Sequence, residues 1–257
     1  MDVPRLLAES CLRRADWLDQ IDSTNDHALL LANQPEIESP WLIGAEQQTA
    51  GRGRGANRWW GAEGSLLFSL LIDMPKMGLA SADWPRFSLI TGLAVAETLS
   101  SMVSSAVVGL KWPNDVWLGR RKVCGILIEQ SDRFPERLVI GVGLNVNNSF
   151  HDAPDDQQRI ATSMADASGG NVFSRTDVLI EFLNQWRLLS QYLAAGNIDL
   201  VERWSRKCML TGNPVTLTSG RNETTGVCVG IDGDGALLLR TAFAVERHYA
   251  GTVRLRD

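Results

Sequence analysis

"KWPNDVWLGRRKVCGILIE", residues 111–129, contains two short apolar runs separated by a tight-turn sequence. DVWL and KVCGILIEQ are typical of β-strands, and GRR at 119–121 predicts an antiparallel hairpin between them. This hairpin places Lys111 and Lys122 at one end of a sheet, close to Asn114 and Asp115. Together these side chains suit an anion accompanied by a metal ion. The alternative for either lysine by itself, a solvated surface charge, stays open.

The sequence on both sides of the hairpin predicts a mixture of strands and helices rather than a regular βαβ alternation. Short apolar runs bounded by turn residues predict strands at 41–46, 65–72, 107–112 and 137–146. Helical periodicity predicts helices at 25–33, with Ser23 or Thr24 as N-cap, at 84–102, and at 174–196, where Ser174 and Asp177 have capping-box spacing. The polar segment 147–164 predicts a mobile loop.

The last fifty or so residues change in character. NPVTLTSG, GVCVGIDGDGALLLR and GTVRLR are short apolar stretches divided by Gly, Asn and Asp, which is typical of a small all-β domain. We therefore expect a large domain over residues 1–207 and a small one over 208–257. The fold class predicted is α+β.

Composition limits the classes of function. The 257 residues are 44% hydrophobic with a net charge of -5, which indicates a globular chain and disfavours general binding to nucleic acid. The four cysteines are widely spaced, without a zinc or disulfide pattern, and fit a reducing cytoplasm. No apolar leader and no stretch of about 18 apolar residues occurs, so neither secretion nor a membrane partner is expected.

A second informative stretch is "GRGRGANRWWG", residues 51–61, which lies between two predicted core strands. Its glycines allow close approach of backbone N–H groups to a ligand, its arginines offer forked donors, and its tryptophans offer flat faces. These properties favour a loop that orders around a small anionic ligand. A dinucleotide fingerprint, an RGG-like nucleic-acid segment and a plain surface loop are weaker alternatives.

Six blocks in order make the chain resemble the biotin–protein ligases, also called biotin–[acetyl-CoA carboxylase] ligases. They are DSTND (22–26), AEQQTAGRGR (45–54), KWPNDVWL (111–118), RKVCGIL (121–127), GVGLNV (141–146) and ATSM (161–164). The resemblance implies a mixed sheet flanked by helices, as in class II aminoacyl-tRNA synthetases, followed by a small SH3-like barrel.

The resemblance also implies the reaction. The biotin carboxylate attacks the α-phosphate of ATP to give biotinyl-5′-AMP and pyrophosphate, and a lysine of a biotin carboxyl carrier protein then attacks the mixed anhydride. ATP, Mg²⁺ and biotin are the implied ligands. No metal ligand is assigned, although Asp115 is a candidate because magnesium rests mainly on the phosphates.

Matching positions supply the implied site residues. The implied catalytic residues are Lys122, Arg52 and Asp115. Implied biotin contacts are Ser23, Thr24, Asn25, Gln48, Gly51, Arg52, Gly53, Arg54, Lys122 and Gly125. Implied ATP contacts are Arg54, Trp59, Lys111, Asn114, Asp115, Asn145 and Arg256.

The chain departs from the family pattern in two places. About 20 residues precede DSTND, too few for the operator-binding domain of some members, so the short form without repressor activity is expected. Gly55 and Asn57 stand where relatives often carry basic residues. Two other functions stay open, a lipoate–protein ligase and a non-catalytic biotin-sensing module, and the choice between monomer and homodimer is also open.

Overall fold

A seven-stranded mixed sheet forms the centre of the computed structural model, which describes residues 1–80, 83–151 and 153–256. The strand order is β1-β2-β3-β7-β6-β5-β4; β1 and β2 run parallel, and every other neighbouring pair runs antiparallel. The strands are β1 (Arg14–Ile21), β2 (Trp41–Gln48), β3 (Leu66–Asp73), β4 (Val108–Lys111), β5 (Asp115–Leu118), β6 (Arg121–Gln130) and β7 (Arg137–Leu144).

Helices cover both faces of this sheet. The alternation of strand residues explains the two layers, because Leu42 belongs to the large core beneath α3 and α6, whereas its neighbour Ile43 packs with α2 on the opposite face. All eight residues of β3 are buried, as expected of a strand covered on both sides. The helices are α1 (Val3–Glu9), α2 (Thr24–Ala32), α3 (Trp84–Met102), α4 (Asp155–Ile160), α5 (Met164–Ala167), α6 (Arg175–Ala194) and α7 (Leu200–Ser205), with a 3₁₀ turn at Pro75–Met77.

A five-stranded antiparallel sheet follows α7 and is consistent with the SH3-like domain expected from the sequence. Its order is β11-β10-β9-β8-β12, and the Trp112 indole N–H reaches it by donating to the Gly235 carbonyl over 3.1 Å. The strands are β8 (Pro214–Ser219), β9 (Asn222–Ile231), β10 (Leu237–Arg240), β11 (Val245–His248) and β12 (Thr252–Leu255).

The helix-capping predictions are confirmed in part. Ser23 caps α2 by accepting from the Asp26 N–H, and Ser174 caps α6 by accepting from the Asp177 N–H. The carboxylate of Asp177 does not complete a capping box, because it pairs with Arg5 of α1. The predicted strands and the helices at 25–33, 84–102 and 174–196 are all present.

The structure differs from the expectation in several elements. The sequence pattern does not predict α1, β1, α7 or β11: α1, α7 and β11 have seven residues or fewer, too few for a clear period, and β1 lacks a regular alternation of buried and exposed positions. The segment 147–164, expected to be a loop, contains α4 and the first residue of α5. Asp152 of that segment lies outside the described residues. Among the described residues no helix is long and apolar enough to cross a membrane.

Candidate active site

A cavity of about 260 Å³ opens where α2, the 51–61 loop, the β5–β6 hairpin and β7 meet. Thr252, on β12 of the small sheet, also lines the cavity. The sequence-predicted site residues that line it are Ser23, Thr24, Asn25, Gln48, Arg52, Gly53, Arg54, Trp59, Asn114, Asp115, Lys122, Gly125 and Asn145. Gly51, Lys111 and Arg256 are not among its lining residues.

The hairpin brings opposite charges together at one end of the cavity. The Lys122 ammonium lies 2.6 Å from an Asp115 carboxylate oxygen. Lys111 is paired with Asp115 across β4 and β5, and its ammonium lies 5.2 Å from the centre of the Trp117 ring. Burial lowers the pKa of Lys111, the Asp115 charge opposes that shift, and the charges of Lys122 and Arg254 lower it further.

Arg54 adds a further cation to this end. Burial lowers the pKa of Arg54, and the charge of Asp115 opposes that shift. One carboxylate is therefore surrounded by Lys111, Lys122 and Arg54, an excess of positive charge that suits a polyanion.

Neutral polar groups are concentrated at the other end. The backbone N–H and hydroxyl of Thr24 donate to the Gln48 side-chain oxygen over 2.7 and 3.2 Å. The Ser69 hydroxyl lies 2.8 Å from the Thr24 hydroxyl and 2.6 Å from the Asn25 side-chain oxygen. Ser23, Thr24 and Asn25 are all buried, so this end offers hydroxyl and amide groups in a site shielded from water.

The 51–61 loop folds as a small hairpin over the cavity. Gly53 N–H donates to the Asn57 carbonyl, and Trp59 N–H donates to the Gly51 carbonyl. Gly55 has φ +66°, a left-handed conformation that glycine adopts without strain. Gly51 therefore contributes through its backbone to the loop rather than through a lining surface.

Two anchors fix the loop. The Arg52 guanidinium donates to both carboxylate oxygens of Glu129, over 2.9 and 2.6 Å, and lies 2.7 Å from Asp26. The hydrogen bond to Glu129 raises the pKa of Arg52, although burial acts in the opposite direction. Arg54 donates to the Gly251 carbonyl and, over 3.1 Å, to the Thr252 hydroxyl, which ties the loop to the small sheet.

Trp59 occupies the space beside two glycines on adjacent strands. A Cβ added at Gly125 would lie 2.8 Å from the Trp59 ring, and one at Gly143 would lie 2.3 Å from it. The close backbone approach predicted at Gly125 is thus made by an indole. Trp60 packs against Phe150 with ring centroids 5.3 Å apart, which joins the loop to the segment after β7.

Two asparagines of the site, Asn114 and Asn145, are engaged with the backbone. Asn114 donates to the Ile126 carbonyl over 2.7 Å and so closes the hairpin. Asn145 donates to the Thr162 carbonyl and accepts from Asn148, both near 3 Å, so in this structure it organises the ATSM block. Thr162 N–H in turn donates to the Lys122 carbonyl.

The sequence pattern does not single out several residues of the site. Phe150 and Thr252 line the cavity, and Ser69 and Glu129 bond to the lining residues Thr24, Asn25 and Arg52. Only β-strand alternation, which puts Glu129 on the same face as Gly125, indicates one of them. Arg256 lies beyond β12, where it is exposed and its N–H donates to the Pro214 carbonyl. Arg254 is the residue of β12 whose positive charge lowers the pKa of Lys111.

The sequence model of the Biotin/lipoate A/B protein ligase family matches residues 17–145. This segment contains the first four of the six resemblance blocks and all but the last residue of the fifth. A bifunctional ligase/repressor BirA from Bacillus spizizenii is 31% identical over 245 residues, which are 93% of this chain and 73% of that protein. The chain belongs to the biotin/lipoate A/B protein ligase family.

Other comparisons specify the type of ligase. Residues 211–256 match the Biotin protein ligase C terminal domain. A biotin–[acetyl-CoA-carboxylase] ligase from Paracoccus denitrificans is 32% identical over 232 residues, 87% of this chain and 92% of that protein. The biotin protein ligase from Aquifex aeolicus, solved with biotin and ATP, superposes with a TM-score of 0.80 at 28% identity, covering 95% of this chain and 99% of that one. The ligase is thus a biotin protein ligase, an ATP-dependent biotinylating enzyme.

Proposed function

We propose that the cavity binds biotin and ATP next to each other and joins them as biotinyl-5′-AMP. The observation that carries this proposal is the division of the cavity into a neutral end at Thr24 and Gln48 and a cationic end at Lys122. The ureido ring of biotin has donors and an acceptor and needs hydroxyl and amide partners. The carboxylate and the triphosphate need positive charge.

Ser23, Thr24, Asn25 and Gln48 are proposed to hold the ureido ring, and the Gly51–Arg54 segment to close over the biotin chain. Lys122 is proposed to neutralise the carboxylate and the phosphoryl oxygens as the carboxylate oxygen attacks the α-phosphorus and pyrophosphate leaves. These groups act mainly by positioning and by charge.

The nucleotide is proposed to lie toward Lys111, Asn114 and Asp115. Among the described residues, no cluster of three or more His, Cys, Asp or Glu side chains could hold a metal ion. Asp115 fits the single carboxylate that magnesium needs when phosphates and waters supply its other ligands. When bound, magnesium would neutralise phosphate charge.

Arg254, rather than Arg256, is proposed as the nucleotide contact from the small sheet. Thr252 lines the cavity, and alternate strand residues share a side, so Arg254 lies roughly 7 Å farther along β12. Arg256 lies beyond the end of the strand, roughly 13 Å from Thr252. The influence of Arg254 on Lys111 agrees with this order. Arg254 would partly compensate for the absence of basic side chains at positions 55 and 57.

The acceptor is proposed to be a lysine of a biotin carboxyl carrier domain of acetyl-CoA carboxylase, the substrate in the name of the Paracoccus relative. Its ε-amine would attack the acyl carbon of the anhydride and release AMP. The division into residues 1–207 and 208–257 is part of the proposal; residues 207–209 pair with Leu110 of the large sheet, so the boundary lies in a segment that contacts both sheets. A cytoplasmic location and the absence of a nucleic-acid partner stay predictions.

One incubation tests the function. The protein, ATP, magnesium, biotin and a biotin carboxyl carrier domain are combined, and the intact mass of the carrier is measured. A gain of one biotinyl group supports the proposal. Replacement of biotin by lipoate tests the first alternative, and release of pyrophosphate without carrier tests the second, since a non-catalytic sensing module releases none.

A further inference from the structure

The Glu129 carboxylate contacts both the 51–61 loop and the start of α2. It accepts from the Arg52 Nη1 and Nη2 groups over 2.9 and 2.6 Å, and from the Asn25 side-chain amide over 2.8 Å. Its side chain is 25% exposed, so these charge-assisted bonds are partly shielded from water. Glu129 therefore joins two segments that lie on either side of the cavity.

The pairing leaves the Nε donor of Arg52 unused. A guanidinium has five N–H donors, and the forked Nη end of Arg52 is directed to the carboxylates of Glu129 and Asp26. The Arg52 Nε is buried and has no hydrogen-bond partner in the described part of the chain. A buried unpaired donor is costly, and a ligand acceptor would satisfy it.

The pairing also removes Arg52 as a free cation. Two carboxylates face one guanidinium, so the net charge of this cluster is already negative. Lys122, with one carboxylate partner and Lys111 close by, is better suited to neutralise a ligand carboxylate.

We propose that Glu129 is a positioning residue for biotin binding, which holds Arg52 and Asn25 so that the Nε donor of Arg52 and the side-chain oxygen of Asn25 are oriented for biotin. This inference rests on the proposed biotin-binding roles of Arg52 and Asn25. Glu129 itself makes no contact with the reacting atoms. It holds the Arg52 side chain before the ligand arrives, so that less of the 51–61 loop has to be ordered on binding, which lowers the entropic cost.

The test compares Glu129→Gln and Glu129→Ala with the wild type in adenylate formation. The Michaelis constant for biotin should rise about tenfold or more, the size expected for a lost charge-assisted hydrogen bond, while that for ATP stays within about twofold. Glu129→Gln should be the milder variant because its amide oxygen can still accept from Asn25.

Glu46→Gln is the matched control. Glu46 is also a partly exposed carboxylate on the large sheet; it pairs with Arg175 at 2.8 Å and accepts from the Trp17 indole at 2.7 Å, and it does not line the cavity. Loss of the Glu46–Arg175 ion pair should leave the Michaelis constant for biotin unchanged. A merely structural role for Glu129 would give the two Gln variants the same profile.

A double-mutant cycle with Arg52→Ala separates positioning from an independent effect. In the Arg52→Ala background, removal of Glu129 should add much less to the biotin constant than it does alone. Wild-type biotin constants in both Glu129 variants, or full additivity with Arg52→Ala, would overturn the inference while leaving the proposed function intact. If the wild-type protein forms no biotinyl-adenylate, the proposed function and this inference both fall.

Discussion

The Lys122 ammonium and the Asp115 carboxylate are 2.6 Å apart at the cavity end of the β5–β6 hairpin. A strand bulge between Val116 and Trp117 shifts the register there, so that Lys122 pairs with Trp117 while Asp115 pairs with Gly125. The two charges thus meet without being direct cross-strand neighbours. Asp115 holds the Lys122 ammonium in place before the ligand binds. When phosphate groups enter, Lys122 can exchange the Asp115 carboxylate for a phosphate oxygen.

Lys122→Ala should lower the rate of adenylate formation about 10²- to 10³-fold, because it removes a charge that stabilises the transition state. The fold should be retained, since Lys111 and Arg54 still face Asp115. Pyrophosphate release measures the rate, and thermal unfolding checks the fold. Lys207→Ala is the control, because the Lys207 ammonium bonds to Ser100 and lies outside the cavity lining. Normal pyrophosphate release by a folded Lys122→Ala variant would reject the role.

ATP binding should weaken as pH rises through the pKa of Lys111. Burial lowers this pKa below the ordinary lysine value of 10.5, so the side chain loses its proton, and with it the attraction for phosphate, at a lower pH than an exposed lysine. The Michaelis constant for ATP should therefore increase in the alkaline range. Lys111→Arg, which stays charged, should flatten the profile. Identical profiles for the two proteins would show that another group titrates.

Arg254→Ala should raise the Michaelis constant for ATP several-fold, and Arg256→Ala should change it little. Arg254 acts on Lys111, whereas Arg256 lies beyond the end of β12. Contacts of partly exposed charges are worth about 1 kcal/mol, which corresponds to roughly fivefold. Steady-state kinetics at fixed ionic strength measures both. The opposite ranking would restore Arg256 to the role implied by the family resemblance.

Asn57→Arg should tighten ATP binding by about 1 kcal/mol and leave the biotin constant nearly fixed, since screening limits a charge in an exposed loop. Asn57 is exposed and donates to the Arg54 carbonyl, so an arginine there can be accommodated. Gly55→Arg is the comparison: with φ +66° at position 55, a side chain is strained, and stability should fall by about 1 kcal/mol. A shift in the biotin constant alone would contradict the assignment of this loop region to the nucleotide.

Residues 51–61 and 153–162 should exchange amide hydrogens more slowly when biotinyl-adenylate is bound, because a hydrolysable anhydride requires exclusion of water. The Trp60–Phe150 contact and the bond from Thr162 N–H to Lys122 link both segments to the site. Hydrogen exchange followed by mass spectrometry measures the change, with the fully buried β3 as internal reference. Equal exchange in the free and bound forms would contradict closure of these two segments over the bound adenylate.

Features that depend on neighbouring residues follow from the sequence alone. The β5–β6 turn, the Ser23 cap of α2 and the order of strands and helices follow from local backbone preferences and from apolar periodicity. The resemblance blocks indicated Thr24, Gln48, Asp115 and Lys122, which the cavity brings together. α1 and β1 are not predicted because neither has a strong local pattern and their stability comes from packing.

The partners of the loop arginines depend on long-range packing. Arg52 and Glu129 are 77 residues apart in the chain, and Arg54 and Gly251 are 197 apart, so nothing local indicates that they meet. The same holds for the closeness of Arg254 to Lys111 and for the Trp59 indole beside Gly125 and Gly143. Side-chain pairing across a sheet and between two sheets depends on strand order and register, which long-range packing fixes and a single sequence does not display.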